Sequence, residues 1–258
     1  MKPYVIAVCH QKGGVAKTTT VSALGAALAE GGHPTLLVDL DPSANLTAGL
    51  GINPRQVQMS TADILLGNAE LATLTQSDGI PDLNIIPSGP DMAAASQVLA
   101  ARPHYESILR RGINQQDLLY EYVIIDCPPS MAALTTAALT AANLAIIPTQ
   151  CEYFAIQAIS TIFGYIRRVR SDHNHQLSYK LLITMFDRRG KLHTQLYERL
   201  EAHYSKAIFE TVIGFDSKLR ASQIAGQPIT TFAPRTRAAG QYRDLAREIG
   251  TYVQEQKV

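Results

Sequence analysis

Residues 12–19 read Lys-Gly-Gly-Val-Ala-Lys-Thr-Thr and follow closely on the apolar run Val5-Ile6-Ala7-Val8. The order predicts a strand, a glycine-rich loop, and a helix opened by Thr18 and Thr19. Such an arrangement suits a triphosphate. A loop with little side-chain bulk can wrap phosphate oxygens with its backbone N–H groups, and the helix N-terminus behind it adds free donors and a partial positive charge. Lys17 would neutralise the β and γ phosphates, and the Thr18 hydroxyl would face a bound Mg²⁺.

The general P-loop pattern places glycine six residues before the lysine of the lysine–threonine pair, and again immediately before it. Here those places hold Gln11 and Ala16, and a second lysine, Lys12, precedes the glycine pair. By itself the segment could be a surface turn with two solvated lysines; the strand and helix around it favour the phosphate reading. Lys12-Gly13-Gly14-x-x-Lys17-Thr18-Thr19 resembles the deviant Walker A motif of the ParA/Soj/MinD ATPases. The resemblance implies ATP and Mg²⁺ as cofactors, with nucleotide contacts from Lys12, Gly13, Gly14, Val15, Ala16, Lys17, Thr18 and Thr19. It also implies that Lys12 reaches across a dimer interface to the nucleotide of the other subunit.

Two further apolar runs end in carboxylates. Thr35–Val38 leads into Asp39-Leu40-Asp41-Pro42, and Tyr122–Ile125 leads into Asp126-Cys127-Pro128-Pro129. Carboxylates at the C-terminal ends of parallel strands lie on the sheet edge where ligands bind. A helix cap at Asp41, with Pro42 in the first turn, is the competing reading. The resemblance implies that Asp41 orients the attacking water near the Mg²⁺ shell and that Asp39 supports the same switch. It makes Asp126 the Walker B carboxylate, holding Mg²⁺ through water. Thr18, Asp41 and Asp126 thus form the expected metal set, and Lys12, Lys17 and Asp41 the expected catalytic set.

Strand-like runs recur at Val5–Val8, Thr35–Val38, Leu83–Ile86, Tyr122–Ile125, Leu144–Ile147 and Leu181–Ile183, with helix-like stretches between most of them. The alternation predicts an α/β fold, a doubly wound and mostly parallel sheet with helices on both faces. No charged or Gly/Ser-rich linker divides the 258 residues, so one ATPase domain over 1–258 is expected. Cys9, Cys127 and Cys151 are odd in number and lack C-x-x-C spacing, which reads as buried thiols in a reduced cytoplasmic protein. Met1-Lys2-Pro3 leads straight into a strand, so neither a signal peptide nor an N-terminal helix-turn-helix extension is expected, and no run approaches a membrane span.

The net charge of +1 hides a split. Residues 1–164 hold 7 Lys/Arg against 13 Asp/Glu, a net −6, whereas residues 165–258 hold 16 against 9, a net +7. Solvated helix faces account for most such residues, but a basic third also attracts phosphate backbones without reading sequence. In chromosomal ParA/Soj proteins, DNA contacts include an arginine just after a Met-x-Asp segment and a second in the stretch leading to Gly-x-Pro-Ile. Arg189 follows Met185-Phe186-Asp187-Arg188, and Lys218 with Arg220 precedes Gly226-Gln227-Pro228-Ile229. Lysine at 218 grips phosphate less well than a two-pronged arginine, and Arg220 stands near enough to compensate. The same two segments bound the family's adenine site, making Met185, Phe186 and Pro228 candidates; ordinary core or turn roles suit them equally.

Arg237–Val253 has helical apolar spacing at Tyr242, Leu245, Ile249 and Tyr252 or Val253, and then ends in polar residues 254–258. The basic amphipathic membrane helix of a MinD-type protein is not there, so no membrane contact is expected. The whole pattern predicts a cytoplasmic, nucleoid-associated ATPase that dimerises with ATP and binds DNA non-specifically. With a ParB-like activator it would partition chromosomes or plasmids. Two alternatives stand: the same cycle positioning a protein cargo such as a carboxysome or chemoreceptor cluster, and a P-loop metabolic enzyme of the dethiobiotin-synthetase type.

Overall fold

The computed structural model describes residues 2–71, 76–77, 79–115, 118–153 and 155–256. Seven strands form one sheet: β1 (Tyr4–Val8), β2 (Thr35–Asp39), β3 (Gln76–Ser77), β4 (Leu83–Ile86), β5 (Tyr122–Asp126), β6 (Leu144–Gln150) and β7 (Ser178–Thr184). Their spatial order is β3-β4-β2-β5-β1-β6-β7. All neighbours run parallel except the two-residue β3, which lies antiparallel on the β4 edge. The helices are α1 (Lys17–Glu30), α2 (Asn45–Gly49), α3 (Thr61–Leu66), α4 (Met92–Leu99), α5 (Ile108–Gln115), α6 (Ala133–Ala141), α7 (Ala155–Asp172), α8 (Lys191–Tyr204), α9 (Ser217–Ile224), α10 (Ile229–Phe232) and α11 (Arg237–Glu255).

The doubly wound arrangement expected from strand–helix alternation is what forms. Its parallel strands are largely apolar because both faces of the sheet are covered. Along β1, Val5 and Ala7 enter one core with Val38, Ile125 and Ile147, beneath α3 to α8. Ile6 and Val8 enter the other with Leu37, Ile124 and Ile146, beneath α1 and α11. The period-two alternation of a strand therefore splits a continuous apolar run between two cores.

Helix α1 lies so close on β2 that a Cβ built on Gly25 would fall 2.5 Å from Leu37 Cδ2. On its other flank it packs against α11, whose Tyr242, Leu245, Ile249 and Val253 are buried at the spacing read from the sequence. Tyr242 Oη lies 3.2 Å from Thr20 Oγ1, tying the two helices by a hydrogen bond. The three cysteines are free and buried. Among the described residues no helix is long and apolar enough to cross a membrane. The polar end foreseen at 254–258 is helical to Glu255; Lys257 and Val258 lie outside the described residues.

The parallel register brings three strand ends to one place. Asp126, last in β5, pairs with Val8, last in β1, on one side and with Asp39, last in β2, on the other. The loop after β1 therefore opens beside both carboxylate-bearing turns.

Candidate functional site

The loop after β1 turns on two left-handed residues, Gly14 (φ 76°) and Ala16 (φ 71°). A position immediately before the lysine that must adopt positive φ explains why glycine is the general choice there, and why alanine carries a local strain of about 1 kcal/mol. Helix α1 then begins at Lys17, one residue earlier than expected, with its capping residue Ala16 offering no side-chain bond to the first N–H groups. Those donors stay free for a ligand. Val15 is buried, and its carbonyl accepts from Thr184 Oγ1 at 3.1 Å, while the Gly14 carbonyl accepts from Gln150 Nε2 at 3.0 Å. The ends of β6 and β7 thus brace the loop from behind.

The two lysines differ in setting. Lys17 is only 7% exposed, with Nζ 3.4 Å from the Lys12 carbonyl oxygen. Lys12 reaches outward to an ion pair with Glu152, and its side chain is 48% exposed. Its backbone N–H donates to His10 Nδ1 at 2.9 Å. Burial, reinforced by Lys17 and Lys12, pushes the His10 imidazole down to about 4, so the ring is neutral and free to accept that bond.

The carboxylates show a gradient of satisfaction. Asp39 is fully buried and accepts three bonds: from the Asp41 N–H at 3.0 Å, the Thr47 N–H at 2.9 Å and Thr47 Oγ1 at 2.7 Å. It organises the turn after β2. Burial still pushes its carboxyl up to about 6. Asp41 Oδ1 accepts the Ser43 N–H at 2.9 Å, a local turn bond; the cap of α2 is Ala44, so the helix-cap reading of Asp41 does not apply. Asp126 is fully buried, with Oδ2 accepting from Thr18 Oγ1 at 2.7 Å and Oδ1 without a hydrogen-bond partner. Burial, and then Asp39 beside it, raises the Asp126 carboxyl well above the usual carboxylate range.

An orphaned, buried carboxylate oxygen beside a threonine hydroxyl fits a magnesium site. Mg²⁺ keeps several waters and takes one or two protein groups beside the phosphates. Thr18 would hold it directly, Asp126 through water, with Asp41 near the same shell. Among the described residues no cluster of three or more His, Cys, Asp or Glu could hold a metal ion by itself.

The remaining candidates divide. Met185 (φ 52°) touches the Gln150 amide that braces Gly14, which puts it beside the loop. The Phe186 ring turns to α8, 6.0 Å from His193 and 5.7 Å from Tyr197 between centroids. Pro228 is buried at the start of α10, where its carbonyl accepts the Phe232 N–H. Backbone bonds from the Phe186 N–H to the Ile213 carbonyl and from the Phe215 N–H to the Phe186 carbonyl stitch the two basic segments together. Arg189, 90% exposed, follows one side of this bridge in the chain, and the exposed Lys218 and Arg220 follow the other. Asp187 grips the Arg189 guanidinium with both oxygens, at 3.1 and 3.3 Å.

Glu152, Gln150, Thr184, Thr47 and His10 were not singled out from the sequence. Gln150 had a legible signal, a polar residue closing β6 at the ligand edge of the sheet. Glu152 and Thr184 act through contacts more than a hundred residues away in the chain, and His10 and Thr47 through turn geometry that no motif marks.

The AAA domain family matches residues 3–179. The chain is 38% identical over 246 residues to the sporulation initiation inhibitor protein Soj of Bacillus subtilis, covering 95% of this chain and 97% of that one. It is 34% identical over 248 residues to the chromosome partitioning protein ParA of Caulobacter vibrioides, covering 95% and 93%. A solved structure from Mycobacterium smegmatis, described as a cobyrinic acid a,c-diamide synthase with bound ADP and magnesium, superposes with a TM-score of 0.83 at 33% identity, covering 95% and 93%.

The satisfaction gradient yields a stability prediction for the nucleotide-free, metal-free protein. A carboxyl raised in the folded state stabilises the fold below its unfolded value of about 3.9 and loses that contribution as pH rises through the folded value. Stability should therefore fall between about pH 4 and pH 6 through Asp39. Asp126→Asn should raise stability at pH 7 by about 0.5–2 kcal/mol while removing the extra stabilisation that Mg²⁺ adds to ATP. Denaturant titrations of both proteins with and without Mg²⁺·ATP measure this; a destabilised Asn variant would contradict it.

Proposed function

The chain belongs to the Soj/ParA family, and on that premise we propose that it is a Mg²⁺-dependent ATPase acting in DNA partition. In this reading, ATP drives two copies together, the dimer binds DNA without reading sequence, and a ParB-like activator stimulates hydrolysis. The protein would then be cytoplasmic and nucleoid-associated, with one ATPase domain over 1–258. The observation that carries the reading is the meeting of the 12–19 loop with Asp41 and the orphaned Asp126 at one sheet edge.

Lys17, held inward beside the loop, supplies the counter-charge for the β and γ phosphates. The loop from Gly13 to Thr19 would wrap the phosphates with N–H groups, and Thr18 with Asp126 would hold Mg²⁺, which would supply positive charge against the phosphate oxygens. Asp41, with one oxygen in a local turn, orients the attacking water. Met185 lies on the adenine side, with Phe186 and Pro228 in the segments bounding it.

Lys12 bridges to the partner's nucleotide. Two triphosphates facing each other repel, and cations supplied across the interface offset that repulsion. Lys12 can leave Glu152 readily, because a half-exposed ion pair is worth about 0–1 kcal/mol. The Arg189–Asp187 pair lies in solvent, so a DNA phosphate can displace the carboxylate.

One observation favours a second reading: the 33% identical Mycobacterium smegmatis protein is described as a small-molecule synthase. A metabolic enzyme of this fold, like the dethiobiotin-synthetase type, would need no ATP to assemble and no DNA. A protein cargo in place of DNA cargo would leave the ATP and DNA steps intact.

Sedimentation with ATP·Mg²⁺, ADP·Mg²⁺ and no nucleotide separates these readings. Wild type should dimerise with ATP alone, and Lys12→Ala should bind ATP within a few-fold of wild type yet remain monomeric. A Lys12→Ala dimer as stable as wild type would confine Lys12 to its own subunit.

Arg189→Glu combined with Lys218→Glu should abolish DNA binding and spare ATP-dependent dimerisation. Wild-type affinity should fall with salt at a log–log slope of about −0.9 per phosphate contact on duplex DNA. Mobility shifts at several salt concentrations read both quantities. An unchanged slope in the double variant would move the DNA surface elsewhere.

A further inference from the structure

Helix α9 carries Lys218 and Arg220, and a side-chain bond unused in the chemistry above ties it to the phosphate loop. Gln223 Nε2 donates to Thr19 Oγ1 at 2.8 Å, joining residues 204 apart in the chain. Thr19 lies in the first turn of α1, inside the segment that faces phosphate. At the N-terminal end of α9, Asp216 caps the helix by accepting the Lys218 N–H at 2.9 Å. Beyond its C-terminal end, Gly226 (φ 67°) presses on Gly51 so closely that a Cβ there would fall 2.8 Å from Gly51 Cα. Gly51 closes the stretch that starts at Asp39 and Asp41 and runs through α2. Helix α9 is therefore held by the nucleotide loop through one contact and by the Asp41 segment through another.

We propose that Gln223 is a positioning residue that makes the setting of the α9 cations depend on phosphate at Thr19. A threonine hydroxyl has one proton to give and two lone pairs to receive. With an anionic phosphate oxygen in the loop, the Thr19 proton turns to the phosphate while its oxygen accepts from Gln223. Each bond in such a chain polarises the next, so the Gln223 bond is stronger with nucleotide bound. Helix α9 is then anchored more firmly in the ATP state, and Lys218 and Arg220 are fixed with it. Nucleotide binding and DNA binding become coupled through this bond, and the coupling acts equally in both directions.

The inference rests on the ATPase and DNA reading above, and one arm of its test does not need DNA. Hydrogen exchange of the α9 backbone amides is measured with and without ATP·Mg²⁺ in wild type, Gln223→Leu and Thr19→Ser. Leucine matches glutamine in bulk and helix preference and has no donor; serine keeps the hydroxyl. ATP should slow α9 exchange in wild type and Thr19→Ser and leave it unchanged in Gln223→Leu. In the second arm, the ratio of DNA affinity with ATP to that without should fall by about fivefold in Gln223→Leu. A purely structural role would weaken DNA binding in both nucleotide states alike, leaving the ratio unchanged, and that result overturns the proposal. So does α9 exchange that ignores ATP in wild type, or responds equally in Gln223→Leu. If wild type binds no DNA in any state, the DNA reading falls while the exchange arm still decides the role of Gln223.

Discussion

Asp126 is a carboxylate with no access to water, a second carboxylate as its cross-strand neighbour, and one oxygen without a partner. A buried carboxyl with an unpaired oxygen is costly for a fold, the more so when ionised. It persists here because the parallel register of β1, β5 and β2 fixes it between the loop strand and Asp39. Thr18 satisfies one oxygen, and the other is left for something cationic or protonated. The site is thus under-neutralised by construction, and Mg²⁺ with its water shell is the partner that fits. The cost is borne by the two cores that clamp β5 on either face.

Much of this was legible in the sequence because the signals were local. The 12–19 loop fixed strand, turn and helix within one residue, and six of the seven strands announced themselves as apolar runs. The seventh, Gln76–Ser77, is two residues long and polar, held by pairing to β4 and without any pattern of its own. Ala16 looked like a departure from the glycine pattern; its left-handed backbone shows the position keeps the glycine conformation and bears the strain. The resemblance gives Asp41 the catalytic place and Asp39 a supporting one, but the motif itself carries no physical ground for the difference. Their difference lies in Thr47, eight residues beyond Asp39, whose amide and hydroxyl spend the Asp39 carboxylate on structure. Glu152 and Gln223 were silent, since each becomes meaningful only when the chain folds back more than a hundred residues.

The basic C-terminal third gains a physical frame from the same long-range contacts. The excess of cations in residues 165–258 is a property of composition, and their arrangement is set by the fold. The backbone bridge at Phe186 brings the Arg189 turn beside the α9 segment, and Gln223 and Gly226 join α9 to the loop and to the Asp41 segment. The loop at the sheet edge and the helix that carries Lys218 and Arg220 are therefore joined by direct contacts.

The central claim is that this sheet edge is completed by Mg²⁺ and nucleotide together. Thermal unfolding of the wild-type protein with ATP·Mg²⁺, with ATP and EDTA, and with neither tests it most directly. At a ligand concentration one hundred times Kd, binding adds about 2.7 kcal/mol, or about 5–10 °C for a chain of this size. The account predicts a rise of that order with ATP·Mg²⁺ and a clearly smaller one when EDTA removes the metal. An equal rise with and without Mg²⁺, or none at saturating ATP·Mg²⁺, would contradict it.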